Sequence, residues 1–282
     1  MKKEEVEKWA KEFPDIPIEY IEWVLRKRGL TDAQIRALLE RFGQLQQKYP
    51  KVPPLFIALL MIKGHLSADQ VDKVLKNYAP NTITPAHLNA DQQILFNQLR
   101  LRFPDVDPNF LSRLIAASRV SNTLTEEKIT QFLTEHAGDI PYITMLYGQL
   151  ANVPGIDRVL FDLANNSDTT YKGSFHQLEW AFWVKPDLVE LEPLAPDNKA
   201  GADAILKDGT VIVDLKSYTW WGKDASYARS KGRGFAEQLK RLRDLYGNDV
   251  KIVFVFDSDG GPVPEQVKEE LNFPNVEVDN WP

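Results

Sequence analysis

The chain has 282 residues, 43% of them hydrophobic, and a formal net charge of −6, which is enough apolar material for one large domain or two ordinary ones. It contains no cysteine, which excludes disulfides and cysteine-based catalysis or metal sites and fits a reducing, cytoplasmic setting. The acidic balance argues against a nonspecific basic coat without excluding nucleic acid, because local charge outweighs the total. No apolar stretch backs the charged start Met1-Lys2-Lys3-Glu4-Glu5, so no signal peptide is expected. The longest apolar run, residues 52–62, is too short to cross a bilayer and contains two prolines, so no membrane association is expected.

Residues 1–165 read as an all-α domain of short amphipathic helices that repeat. Phe13-Pro14-Asp15-Ile16-Pro17, followed by Tyr20-Ile21, Leu30-Thr31 and Gln34-Ile35, returns 36 residues later as Tyr49-Pro50-Lys51-Val52-Pro53 with Phe56-Ile57, Leu66-Ser67 and Gln70-Val71. A third copy begins at Phe103-Pro104-Asp105-Val106 and, after about four extra residues, continues from Leu124-Thr125. Each unit is a proline-bearing lead-in to one helix and a Thr or Ser cap (Thr31, Ser67, Thr125) to a second. Neither helix of such a pair can bury its stripe alone, so either stacked helical hairpins or a helical bundle follows. The segment 84–100 supplies further helix, and Asp139-Ile140-Pro141 starts a degenerate unit.

A polar run at 164–173 marks the expected boundary, and residues 170–282 read as a second domain. Ser174 is expected to cap a helix ending near Val184, and strands are expected at 188–194 and on both sides of Asp208-Gly209. A helix over 235–246 follows, with a looser basic approach before it. An apolar strand at 250–256, a helix at 264–271 and a short strand at 276–278 complete the order α-β-β-β-α-β-α-β, one mixed sheet with flanking helices.

The chemistry gathers at the hairpin. Asp208-Gly209 suits a two-residue turn. That loop places Lys207 against Thr210, Ile205 against Ile212 and Asp203 opposite Asp214. Two carboxylates facing each other across a ladder repel, an objection that a bound divalent cation removes because hard cations take oxygen ligands. Strand alternation puts Lys216 on the face of Asp214 and turns Val213 and Leu215 the other way.

An acid on one strand, Asp203, and then Asp214-Leu215-Lys216 on the next resembles the PD-(D/E)XK, or restriction-endonuclease-like, phosphodiesterase superfamily. Ala202 stands where the motif has proline. The resemblance covers about residues 170–282. It implies Mg²⁺ or Mn²⁺ held by Asp203 and Asp214, with a backbone carbonyl near Leu215 as a further donor. Lys216 would orient or deprotonate the attacking water and offset charge on the phosphate. It also implies a helix glutamate, for which Glu179 is the candidate ahead of Gln177 and His176, and a helix glutamine, Gln238. Glu190 and Glu192 alternate in the first strand and read as solvent-facing, with one of them a possible ligand of a second metal.

Between residues 216 and 243 there are eight basic residues and two acids. Lys223, Arg229, Lys231, Arg233, Lys240 and Arg241, with Trp220 and Trp221 as flat stacking surfaces, form the candidate nucleic-acid contacts. Gly232 and Gly234 read as a slender link able to approach a phosphate backbone. The expected activity is metal-dependent hydrolysis of phosphodiester bonds in nucleic acid, with DNA favoured by the resemblance. Cleavage would be structure-selective or weakly sequence-specific, since no helix-turn-helix or zinc pattern offers base readout. The alternative is a noncatalytic scaffold of the same fold that binds nucleic acid or protein. The helical part would grip DNA, recruit a protein partner or act as a spacer.

Overall fold

The first helices start where side chains satisfy amides that the helix itself leaves free. In the computed structural model, which describes residues 3–27, 29–80, 83–120, 122–165, 168–195, 201–216, 224–257 and 261–281, Thr31 Oγ1 accepts from the Gln34 N–H at 3.3 Å and Gln34 Oε1 accepts from the Thr31 N–H at 2.9 Å. Ser67 and Gln70 make the same reciprocal box at 3.3 and 2.8 Å. These caps open α3 (Asp32–Lys48) and α5 (Ala68–Leu75), while proline lead-ins precede α2 (Ile18–Arg26) and α4 (Pro54–Ile62). With α1 (Lys3–Glu12) they make one compact unit, Met1–Asn81. Residues Phe56 to Met61 of α4 are all buried, the mark of a helix surrounded by others. Tyr20 stacks on Phe42 with centroids 4.5 Å apart.

The second unit is Thr82–Pro282, so residues 164–173 fall inside it. Its helical part runs α6 (Ala90–Arg102), α7 (Pro108–Ala116), α8 (Glu126–Glu135), α9 (Ile140–Leu150) and α10 (Ile156–Asn165). Thr125 accepts from the Lys128 N–H and caps α8. The extra residues of the third copy form a small hairpin, β1 (Ser118–Arg119) and β2 (Asn122–Thr123), with Arg119 paired to Asn122. Helix α11 is Asp168–Trp183, so Ser174 lies within it and is not its cap.

A five-stranded sheet follows in the order β3 (Leu188–Leu191), β4 (Ala204–Leu206), β5 (Val211–Lys216), β6 (Lys251–Asp257), β7 (Val276–Trp281). The first three strands are antiparallel and the last two pairs parallel. The parallel crossovers run through α12 (Ala225–Tyr246) and α13 (Glu265–Glu270), as parallel pairing requires. The unit is thus a mixed α/β domain, a small sheet flanked by helices. Asp208 and Gly209 both have positive φ, 56° and 87°, and Thr210 N–H donates to Lys207 O at 3.1 Å, the tight turn expected of this dipeptide.

Helix α12 begins ten residues before the expected start at 235. Gly232 and Gly234 therefore sit inside a helix and not in a slender link. A Cβ on Gly232 would lie 3.0 Å from Glu270 Cβ and 3.2 Å from Val267 Cα, whereas among the described residues nothing beyond its own helix lies within 4 Å of that position on Gly234. The first glycine lets α13 approach α12. Beneath them Phe235, Leu239, Leu242, Val267 and Leu271 pack on Ile212, Ile252, Phe254 and Phe256 of the sheet. Phe235 lies 5.4 Å from Phe256, edge to face. No helix among the described residues is long and apolar enough to cross a membrane.

Candidate active site

Local hairpin geometry brings the two strand acids together. Ile205 pairs with Ile212 and Ala204 with Val213, the expected register, and the regular ladder stops there. One residue further, Asp203 N–H donates to Val213 O at 3.0 Å. The Asp203 side chain accepts from the Leu215 N–H at 2.5 Å through Oδ2. On β5, Asp214 follows the parity of Ile212, which packs under α12. Lys216 has the same parity, and its Nζ lies 5.9 Å from the Phe235 ring centroid. Its ammonium is ion-paired with Asp214 Oδ1.

Asp214 is 1% exposed, and its Oδ2 is buried with no hydrogen-bond donor among the described residues. Burial pushes both acids above the usual carboxylate range. The Asp214 charge pushes Asp203 further, to about 7, while the Lys216 ammonium works in the opposite direction on Asp214. With Asp203 raised, its carboxyl also hydrogen-bonds the Asp214 side chain, and two adjacent buried oxygen donors of this kind are the type a hard divalent cation takes. Among the described residues, no group of three or more His, Asp or Glu side chains gathers closely enough to hold a metal.

Among the described residues Glu179 forms no three-acid group with this pair. It is half-buried on α11 beside Tyr142 of α9, whose phenol is pushed up by burial and then by the Glu179 carboxylate. The α11 residue at the site is Gln177. Its Nε2 donates to Asp203 O and to Glu192 Oε1, both at 2.9 Å. His176, also buried, has Nδ1 3.6 Å from Asp257 Oδ2. Gln238 is half-buried on α12, and no hydrogen bond ties it to Asp203, Asp214 or Lys216 among the described residues. Leu215 contributes its N–H, the contact to Asp203 described above.

Of the strand acids, Glu190 stays partly exposed and Glu192 does not face solvent. The β3 register shifts between Leu188 and Glu190, so alternation fails, and Glu192 takes a left-handed φ of 47°. Glu192 is 7% exposed, its N–H donates to Asp203 O at 2.9 Å, and its carboxylate is ion-paired with Arg119 of β1. Burial, then the Asp203 charge, raise its pKa, and Arg119 and Gln177 oppose them. Arg119 Nε also donates to Asp162 of α10 at 2.8 Å. Glu190 pairs with Arg158 of α10 at 2.7 Å. Nothing in the sequence signals these long-range pairs. The bulge that inverts the Glu192 face has no local signature either.

The basic residues of α12 are partly answered by α13. Arg229 lies 3.6 Å from Glu269 and Arg233 3.5 Å from Glu270, all on or near the surface. Lys231 Nζ sits 5.4 Å from the Tyr227 ring centroid. Lys240 and Arg241 are exposed. Trp220, Trp221 and Lys223 lie outside the described residues. Family models, curated proteins and solved structures were each compared with the chain, and none matches.

Proposed function

We propose that the second unit hydrolyses phosphodiester bonds in nucleic acid, DNA in the first instance, with Mg²⁺ or Mn²⁺ held by Asp203 and Asp214. The observation that carries this reading is the contact of two buried carboxylates, one oxygen left without a donor, next to an ammonium on the same strand. A structural hairpin gains little from that arrangement, because two adjacent buried carboxyls cost stability even with Lys216 paired to one of them. When bound, the cation would polarise a phosphate oxygen and lower the pKa of a coordinated water. Lys216 would offset the charge that develops on the phosphate and orient the attacking water. The Leu215 N–H keeps the Asp203 carboxylate turned toward Asp214. The exposed cations of α12, Lys240 and Arg241, would contact the sugar-phosphate backbone and supply affinity without base readout.

The test is cleavage of labelled single-stranded, duplex, forked and four-way DNA and of RNA, each with Mg²⁺, Mn²⁺ or EDTA. Asp214→Asn and Lys216→Ala proteins with native circular dichroism serve as controls. Metal-dependent cutting that both substitutions abolish supports the reading. Absence of cutting under every condition, with binding that survives both substitutions, would transfer the chain to the scaffold class.

A further inference from the structure

We propose that Arg119, from the small hairpin between α7 and α8, is a positioning residue for Asp203, acting through Glu192 and Gln177. This rests on the nuclease reading above and assigns part of the working site to a segment outside the sheet.

The Asp203 carbonyl lies just past the last regular β4–β5 pair, so the ladder does not fix it there. Two other donors take over, the Glu192 N–H and Gln177 Nε2, each at 2.9 Å. Both depend on Glu192. Its backbone presents the N–H from a left-handed turn, and its Oε1 accepts from the same Gln177 amide. A buried carboxylate next to Asp203 holds that place only if its charge is answered. Among the described residues, Arg119 is the cation that answers it, and Asp162 fixes the guanidinium from the other side. The planar fork engages two carboxylates at once, a geometry that an ammonium does not reproduce. The chain of contacts therefore runs Asp162, Arg119, Glu192, Gln177, Asp203. A change at its start is felt by a carboxylate that never touches it. Partners that orient a ligand in this way are worth 10- to 100-fold in metal affinity or activity.

The experiment uses the full chain and Mn²⁺ alone, its binding followed by the loss of the free-ion electron paramagnetic resonance signal, in parallel with DNA cleavage. Arg119→Met is expected to weaken Mn²⁺ binding by about 10-fold or more and to lower kcat with the KM for DNA unchanged. Arg119→Lys should fall between the two. Arg119→Met combined with Glu192→Gln should recover much of the Mn²⁺ affinity, because a neutral amide needs no counter-charge. A folded Arg119→Met protein that binds Mn²⁺ as wild type does would overturn the proposal, as would wild type binding no Mn²⁺. If Arg119→Met weakens Mn²⁺ binding and wild type cuts no substrate, the positioning role stands and the nuclease reading falls. If wild type cuts DNA and Arg119→Met cuts equally well, the reverse holds. Should Arg119→Met fail to fold, Arg119→Lys and Asp162→Asn carry the test. Each is expected to weaken Mn²⁺ binding measurably, up to about 10-fold, and binding equal to wild type in both folded proteins would overturn the proposal.

Discussion

Each of the two units is held together internally over a different distance along the chain. In residues 3–80 the side-chain links Lys8–Asp32, Arg41–Asp69, Lys48–Asp72 and Tyr49–Asp72 join positions 23 to 28 residues apart. Around Asp203 they join positions 26, 43 and 73 apart, through Gln177–Asp203, Arg119–Asp162 and Arg119–Glu192. The first unit is built from neighbouring helical pairs, each buried against the next. The second brings a hairpin, a helix and a strand end together around charges that none of them would tolerate alone. Local contacts make a scaffold at low entropic cost, whereas a polar site needs partners from distant chain.

The comparison breaks most sharply at Asp214. Asp214→Asn removes a charge from the proposed cation site and should lower cleavage by roughly 10²- to 10³-fold, the loss of several kcal/mol of charge stabilisation. In EDTA the same protein should melt at a higher temperature than wild type, because one of two repelling charges is removed and the new amide N–H can donate to the Asp203 carboxylate. A lower melting temperature in differential scanning calorimetry would mean that the Lys216 pair outweighs the repulsion.

Next in size is Phe235→Ala, which opens a void against Phe254 and Phe256. Urea unfolding should show the second unit destabilised by about 3–5 kcal/mol, with the transition of the first unit unmoved. The glycines of α12 give a smaller, two-signed effect. Gly232→Val should cost about 1–3 kcal/mol through overpacking against the α13 backbone. Gly234→Ala, with open space at its Cβ, should gain about 0.8–1 kcal/mol from helix propensity. Equal effects at the two positions would show that the helices are not held at the Gly232 contact. Smallest is Thr31→Ala, expected to cost the first unit about 1 kcal/mol while leaving Mn²⁺ binding untouched.

The same difference in range decides what the sequence discloses. Thr31, Ser67 and Thr125 are legible because a cap acts within three residues. Asp208-Gly209 fixes its own turn and, through it, the register that pairs Ala204 with Val213 and leaves Asp203 near Asp214. The start of α12 was not legible. Two glycines so close together read locally as a link, and only α13, more than thirty residues on, turns one of them into a packing requirement. Gln177 and Glu179 are two residues apart on one helix, and the sequence favours the acid. The folded chain turns the amide toward Asp203 and the acid toward Tyr142. For Glu192 the alternation of the strand points outward, and a shift of register inside β3 reverses it.

Two arginines, Arg119 and Arg158, answer two acids of the sheet's first strand and its end, Glu192 and Glu190. This sets where the gene tolerates being cut. A recombination joint placed near residue 170 would transfer the sheet, its hairpin acids and Lys216 intact, yet strand both glutamates without counter-charge in the recipient. Exchange that keeps both counter-charges would have to carry the segment from β1 onward, so the transferable module is longer than the motif that advertises it.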